Sequence, residues 1–389
     1  MRTKLLLLTI LFTANTVLAA EAKTISFTKQ QLDATFRSEG VAVGDFNKDG
    51  NPDVAAGYVW YEAPEWKMHP IVDPLPEFQV KGYAKSFCTY AEDVNEDGWD
   101  DILIVTWPGK ATLWFENPRG AESTWTAHLA TPVSNNESPL FEDIDGDGKR
   151  KFVMPVAPNE KVCDGPDRQM AITTPDADRN KPWIAQPISV KAAPGTKRYA
   201  HGLGVGDINS DGLNDVVVTK GWWQAPKTPQ TPWTFHEAPL GEDCAHMAVA
   251  DWDGDGDADI VSSSAHGFGI WWHEQLEAGK WETHLIDKSY SQTHALCMAD
   301  INGDELPDFV TGKRWYAHNG WDPGADGPAV LFWYELTRKD GRPFWKPHLI
   351  DNDSGVGTQF ETADINGDGL VDIISSNKKG VHVFVQERK

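Results

Sequence analysis

The chain is 389 residues long and strongly acidic, with 58 carboxylates against 35 Lys and Arg and a formal net charge of −23. That balance excludes nucleic acid as a partner, because phosphate backbones are held by basic patches. Four cysteines (Cys88, Cys163, Cys244, Cys297) are too few for a disulfide framework at this length, although a single bridge stays open.

Residues 1–20 begin with Arg2 and Lys4, continue through the apolar run Leu5–Phe12 and end on Val17-Leu-Ala19-Ala20. A basic start, a short apolar core and small terminal residues predict a secretory signal peptide, cut after Ala19 or Ala20. No later stretch is apolar and long enough to span a bilayer. The expected product is a secreted or periplasmic protein whose residues 21–389 form one domain. Residues 24–36 precede the first repeat and are expected to supply the outer strand of the last one, closing a ring and removing its edges.

From residue 45 onward one pattern recurs seven times. Its last copy is Asp364-Ile-Asn366-Gly-Asp368-Gly369-Leu-Val-Asp372, with oxygen-bearing side chains at positions 1, 3, 5 and 9 and glycine at 6. Hard cations such as Ca²⁺ take six to eight oxygen ligands, and a glycine lets a short loop wrap around one. The other full copies are Asp45/Asn47/Asp49/Asp53, Asp93/Asn95/Asp97/Asp101, Asp207/Asn209/Asp211/Asp215, Asp251/Asp253/Asp255/Asp259 and Asp300/Asn302/Asp304/Asp308. In the third copy, Asp143/Asp145/Asp147, Lys151 replaces the ninth-position Asp, and in the sixth Glu305 replaces the glycine. First aspartates are spaced by 48, 50, 64, 44, 49 and 64 residues. A repeat of that length with strand-like flanks predicts an all-β, seven-bladed β-propeller with the acidic loops on one face.

The loops resemble those of the FG-GAP/VCBS repeat family, which includes the propeller of integrin α subunits. The resemblance implies calcium at the positions just named, except in the third copy, where the Lys151 ammonium can take the cation's place. Seven similar sites round a ring read as structural staples.

A second repeat, W-x-x-H, occurs at Trp66/His69, Trp125/His128, Trp233/His236, Trp281/His284 and Trp345/His348. Aromatics recurring once per blade are packing residues, so these five histidines are expected to be structural.

The face opposite the acidic loops collects a different set. His201, His246 and His294 stand six, five and six residues before their loop aspartates, with Glu137 and Gln359 in similar places. Adjacent positions on a strand point to opposite sides, so the five-residue offset of His246 matters. Three converging histidines suit a transition metal, or one can be a general base. After the second strands come Trp107, Lys220, His266, Lys378, Lys379 and an insertion carrying Lys313, Arg314, Trp315, Tyr316, His318 and Trp321. Lys220, Lys313 and Arg314 would hold a carboxylate or oxyanion, and Tyr316 or His318 would protonate a leaving group.

The Trp/His-rich repeats and the run His294-Ala-Leu-Cys-Met-Ala-Asp-Ile-Asn-Gly-Asp also resemble the propeller of aldos-2-ulose dehydratase-type proteins. Seven-bladed propellers occur among polysaccharide lyases as well. These resemblances imply a β-elimination on a keto sugar or uronate, with His201, His246, His294, Lys313, Arg314, Tyr316 and His318 as catalytic candidates. Trp107, Lys220, His266, Trp315 and Trp321 are the substrate-binding candidates. The alternative is a calcium-stabilised module binding glycan or protein through Trp107, Trp315 and Trp321, and a third reading is integrin-like adhesion. Nothing in the sequence fixes the oligomeric state.

Overall fold

In a computed structural model, residues 24–242 and 244–389 are described; the expected signal peptide lies outside them. The fold is a β-propeller. Hydrogen bonding sorts the strands into five separate four-stranded sheets and one eight-stranded sheet, whose two halves are joined only at Val156 and Ser134. The repeat unit is therefore a four-stranded antiparallel sheet, such as Ala42–Gly44, Asp53–Ala56, Val59–Glu62 and Lys67–Pro70. In the last sheet, Ile25–Asp33 pairs antiparallel with Gly380–Arg388, so the first and last described strands share one sheet. Among the described residues no helix is long and apolar enough to cross a membrane.

The second strands, such as Asp101–Val105 and Asp308–Gly312, are buried along their whole length, each an aspartate followed by an apolar stretch. They pack against the neighbouring sheets on both sides, with Tyr61, Trp333 and Phe360 in one inter-sheet cluster and Phe87, Trp114 and Trp183 in another. First strands crowd near the axis, where bulk is excluded: a Cβ on Gly204 would collide with the Met247 carbonyl of the next sheet.

The W-x-x-H histidines are packing residues. His69, His128, His236, His284 and His348 stack on Trp60, Trp114, Trp222, Trp272 and Trp333 at centroid distances of 4.2–4.5 Å. Their Nε2 atoms reach Glu62, Glu116, Gln224, Glu274 and Glu335 at 2.7–3.0 Å. Cys88, Cys163 and Cys297 are free thiols, so among the described residues no bridge staples the fold.

Each acidic loop joins a first strand to a second. Asp45 accepts from the backbone N–H of Asp49 and Gly50, and Asp93, Asp207, Asp300 and Asp364 repeat this pattern. Position 6 needs a left-handed backbone: Gly50 has φ 88° and Gly369 80°, and Glu305 takes φ 69° in the same place.

Positions 3 and 5, expected as cation ligands, are bonded to each other in the five loops that carry asparagine. The amide Nδ2 of Asn47, Asn95, Asn209, Asn302 and Asn366 donates to Oδ2 of Asp49, Asp97, Asp211, Asp304 and Asp368 at 3.0–3.3 Å. The amide Oδ1 accepts the backbone N–H of the same aspartate at 2.9–3.1 Å. Asp97 also accepts from Arg119 at 2.8 Å, and Asp211 from Gln224 at 3.4 Å. These pairs are therefore hydrogen-bonded partners here, each amide facing its carboxylate with N–H and not with oxygen.

Carboxylates alone fill positions 1, 3 and 5 in two loops, Asp143/Asp145/Asp147 and Asp251/Asp253/Asp255, and both form groups able to hold a metal. In the first of these the Lys151 ammonium bonds Asp145 and Asp147, at 2.8 Å for the latter, a cation held between positions 3 and 5. That donor set thus fits a cation.

The ninth-position aspartates, also expected as ligands, are placed differently. Each is buried, and all but Asp259 bond both the loop after the first strand and the third strand or its end. Asp53 accepts from the N–H of Phe46 and of Ala63, Asp101 from Val94 and Asn117, and Asp372 from Ile365 and Gln386. Asp215 and Asp308 do the same, and Asp259 accepts from Gln275 N–H and the Trp272 indole. Burial pushes these carboxyls up, Asp101 to about 8.

Candidate functional site

The last residue of every first strand pairs with the ninth residue of its loop: Gly44 with Asp53, Glu142 with Lys151, Gly206 with Asp215, Ala250 with Asp259, Ala299 with Asp308. That common register makes residues six places before each loop aspartate equivalent. They are Glu39, Phe87, Glu137, His201, Ala245, His294 and Thr358, and none is more than 5% exposed. Two of them, Glu137 and His201, line the floor of a cavity of about 420 Å³ on the face opposite the acidic loops, walled by Tyr83, Trp107, Tyr199, His266 and His318.

His246 does not belong to this floor. It stands one place later, Ala245 holds the shared register, and its ring points into a separate axial cavity of about 510 Å³ with Gln359 and Glu361. Burial there pushes the imidazole down to about 4. Gln359 is likewise one place late and bonds Val41 N–H and carbonyl.

The third histidine is His266, from the loop between Asp259–Ser263 and Phe268–Leu276. His201 Nε2 lies 3.0 Å from His266 Nε2 and 3.2 Å from His294 Nε2. Glu137 Oε2 is 3.3 Å from His294 Nε2 and 3.4 Å from His201 Nε2. Cation–nitrogen bonds of roughly 2.0–2.1 Å put neighbouring ligand atoms about 3.0 Å apart at right angles and about 3.4 Å apart in a tetrahedron. His201 Nε2 therefore stands at ligand spacing from each of the other three atoms, and the three histidines form a group able to hold a metal.

Left-handed residues aim the two floor histidines: Tyr199 (φ 60°) and Gln292 (φ 63°) each stand two places before one. His266 is aimed by Asp322, whose Oδ2 lies 3.3 Å from Nδ1, the opposite edge of the ring from Nε2. A carboxylate behind a histidine fixes its tautomer and raises its basicity toward a metal. Asp322 Oδ1 holds His318 Nδ1 at 3.0 Å, and the His266 and His318 rings stack at 4.5 Å.

Charge follows from these contacts. Burial alone would raise the Glu137 carboxyl, but hydrogen bonds from His201 and His294 hold it well below the usual carboxylate range. Burial, then the nearby Arg314 charge, pushes His294 well down, and burial lowers His266. His294 and His266 held toward the neutral form beside an ionised Glu137 match the protonation state a cation requires.

Arg314 braces this cluster from below. Its Nε and Nη2 donate to Glu39 Oε2 at 3.1 Å each, Nη1 stands 3.7 Å from Glu137 Oε2, and the guanidinium lies over Phe87. Expected to hold a substrate carboxylate, it is instead committed to two protein carboxylates. Lys313 donates to Ser291 Oγ at 3.2 Å and to the Gly324 carbonyl, bracing the insertion. Lys220 is exposed in the turn before Gly221–Gln224. The carbonyl of Tyr316 accepts from Lys378 at 2.9 Å, and its ring tilts against Trp315, over which Lys379 sits. Trp321 is 87% exposed on the insertion. Trp107 packs on Tyr83 at 4.8 Å and donates from Nε1 to the Tyr199 hydroxyl at 3.3 Å.

Of the expected residues, the fold brings His201, His266, His294, His318 and Trp107 together and leaves His246 and Lys220 apart. Glu39, Tyr83, Tyr199 and Asp322 join them without having been singled out. The six-residue offset carried the signal for Glu39 and assigns Glu137 its place in the cluster.

A family model described as an FG-GAP-like repeat matches residues 93–154 and 251–311, each match running from one acidic loop through the next. No curated protein matches the chain. Among solved structures, it is similar to an Agrocybe aegerita lectin recognising non-reducing terminal N-acetylglucosamine. That match has 14% identity and a TM-score of 0.49, over 94% of this chain and 86% of the lectin. It is also similar to the rhamnogalacturonan lyase YesW, at 12% identity and a TM-score of 0.41, over 95% of this chain and 73% of the lyase. Strand pairing and repeat match agree: the chain is a β-propeller that carries FG-GAP-like repeats.

Proposed function

We propose that this is an exported, calcium-stabilised, metal-dependent lyase that carries out β-elimination on a uronate or keto sugar. The observation that carries the reading is the approach of His266, His294 and Glu137 to His201 Nε2 at 3.0–3.4 Å, beside the cavity. A transition metal held by these four would supply positive charge opposite the carbonyl or carboxylate oxygen next to the reacting carbon. With Arg314 and Lys313 committed elsewhere, that duty has no rival among the expected basic residues. Calcium in the acidic loops requires the position-3 asparagines to turn their amide oxygens toward the carboxylates of positions 1 and 5.

The chain's own groups complete the acid–base pair. His318, its Nδ1 held by Asp322, presents Nε2 to the cavity as the base that takes the proton α to the carbonyl. The C–H electrons form the new C=C bond, the β C–O bond breaks, and the leaving oxygen takes the proton of the Tyr199 hydroxyl. Trp107 holds that hydroxyl's oxygen and offers an aromatic surface to the sugar. Solvent exchange returns a proton to Tyr199 and removes one from His318.

The test is metal content and product formation together. Protein purified without added metal should carry a transition metal that His266→Ala and His294→Ala lose, and should form an ultraviolet-absorbing unsaturated product from some uronate or keto sugar. A protein holding calcium alone and forming no such product overturns the reading. The exposed Trp321 favours a second one, a non-catalytic glycan-binding module, which glycan binding without turnover would establish.

A further inference from the structure

We infer that the cavity admits the end of a sugar chain, or a free sugar acid, and not the interior of a polymer. The inference rests on the lyase reading and adds the substrate form. Its first support is depth: His294 has no exposed surface, and His201 and Glu137 are each 5% exposed, so the reacting carbon must descend to the floor. At about 420 Å³ the cavity lies near the small end of ligand pockets and has room for about one or two sugar rings.

The second support is closure beneath. Arg314 spans the floor between Glu39 and Glu137, and Thr358 Oγ1 bonds the carbonyls of Glu39 and Phe87, so nothing threads through to the axial cavity. The third is that the walls are held. One is the aromatic series Tyr83, Trp107, Tyr199. The other is the insertion, tied by Lys313 to Ser291, by Lys378 to the Tyr316 carbonyl, and by Asp322 to His266 and Gln292. A chain interior would have to enter and leave by the same mouth, bending sharply at the reacting sugar. A terminal sugar needs no bend.

The experiment follows the size of the first products from a uronate polymer and from its purified oligomers. Unsaturated monomer or dimer from the earliest times, with the rate per unit mass doubling when chain length is halved, is the expected result. An early ladder of intermediate lengths overturns the inference and leaves the lyase reading standing. No unsaturated product from any uronate or keto sugar removes the lyase reading. Calorimetry with the same oligomers then still decides: one site per chain whatever its length supports end recognition, and sites increasing with length overturn it.

Discussion

His201 and Glu137 occupy the same register in neighbouring sheets, and their Nε2 and Oε2 atoms stand 3.4 Å apart. The repeat thus delivers a carboxylate and an imidazole to one point from two copies of one strand position. Glu137→Gln keeps the shape and removes the charge. Transition-metal affinity should fall by at least about tenfold, the low end of what even outer ligands contribute. Competition with a chromophoric chelator measures it, and unchanged affinity would remove Glu137 from the cluster.

Arg314→Met leaves Glu39 and Glu137 facing each other without their shared cation. Breaking a buried ion pair from one side costs about 3–5 kcal/mol. The unfolding free energy from denaturant titration should fall by that amount, and Glu39→Gln added to Arg314→Met should recover part of it.

Asp322→Asn keeps the insertion's size but weakens the hold on both His266 and His318. Activity should drop by about 10–100-fold, with metal affinity falling alongside and KM moving little. If KM alone rises, Asp322 serves substrate binding and not the histidines.

Glu361, in the axial cavity, gives a pH test away from the metal cluster. Burial pushes its carboxyl up to about 7, with Arg150 lowering and Glu142 raising it; its Oε2 accepts from Val43 N–H, and the Cys297 thiol and Tyr90 hydroxyl feel its charge. The folded state binds this proton more tightly than the unfolded chain. Stability is therefore fullest below the ordinary Glu value and declines as pH rises toward 7. The effect should be on the order of 1–3 kcal/mol, at the low end because the side chain lines a cavity. Glu361→Gln should flatten that decline and raise the thermal midpoint above pH 7; an unchanged profile would refute the account.

Lys151→Met removes the ammonium from between Asp145 and Asp147 and leaves Asp143, Asp145 and Asp147 grouped. In chelator the variant should lose roughly 1 kcal/mol. With calcium it should regain that and bind one more ion per chain than wild type by elemental analysis. No gain would mean the third loop is not a cation site even when vacated.

The sequence made the propeller legible because its repeat is long, its loops are nearly invariant and an apolar stretch follows each loop's ninth residue. The site was legible only where it shared the repeat's arithmetic. His201 and His294 lie in phase, but His246 is one residue out, and a one-residue slip on a strand reverses the side chain. His266, Tyr83 and Asp322 come from connections whose paths no periodicity fixes. Arg314 looked like a substrate clamp because its basicity was visible and its partners, Glu39 far back in the chain and Glu137, were not. In the acidic loops the spacing showed which residues meet, but not that Asn95 would turn its N–H toward Asp97, nor that Asp101 would bond its own sheet.

The pairing of Ile25–Asp33 with Gly380–Arg388 governs how the molecule is made. Ile25–Asp33 has no partner in its sheet until Gly380–Arg388 has left the ribosome, so an early strand waits for one made much later. Loop-closure entropy across that separation falls on one contact. Assembly should therefore include a late, slow step that registers these two strands, and chains stalled near residue 380 should present an open sheet edge to one another.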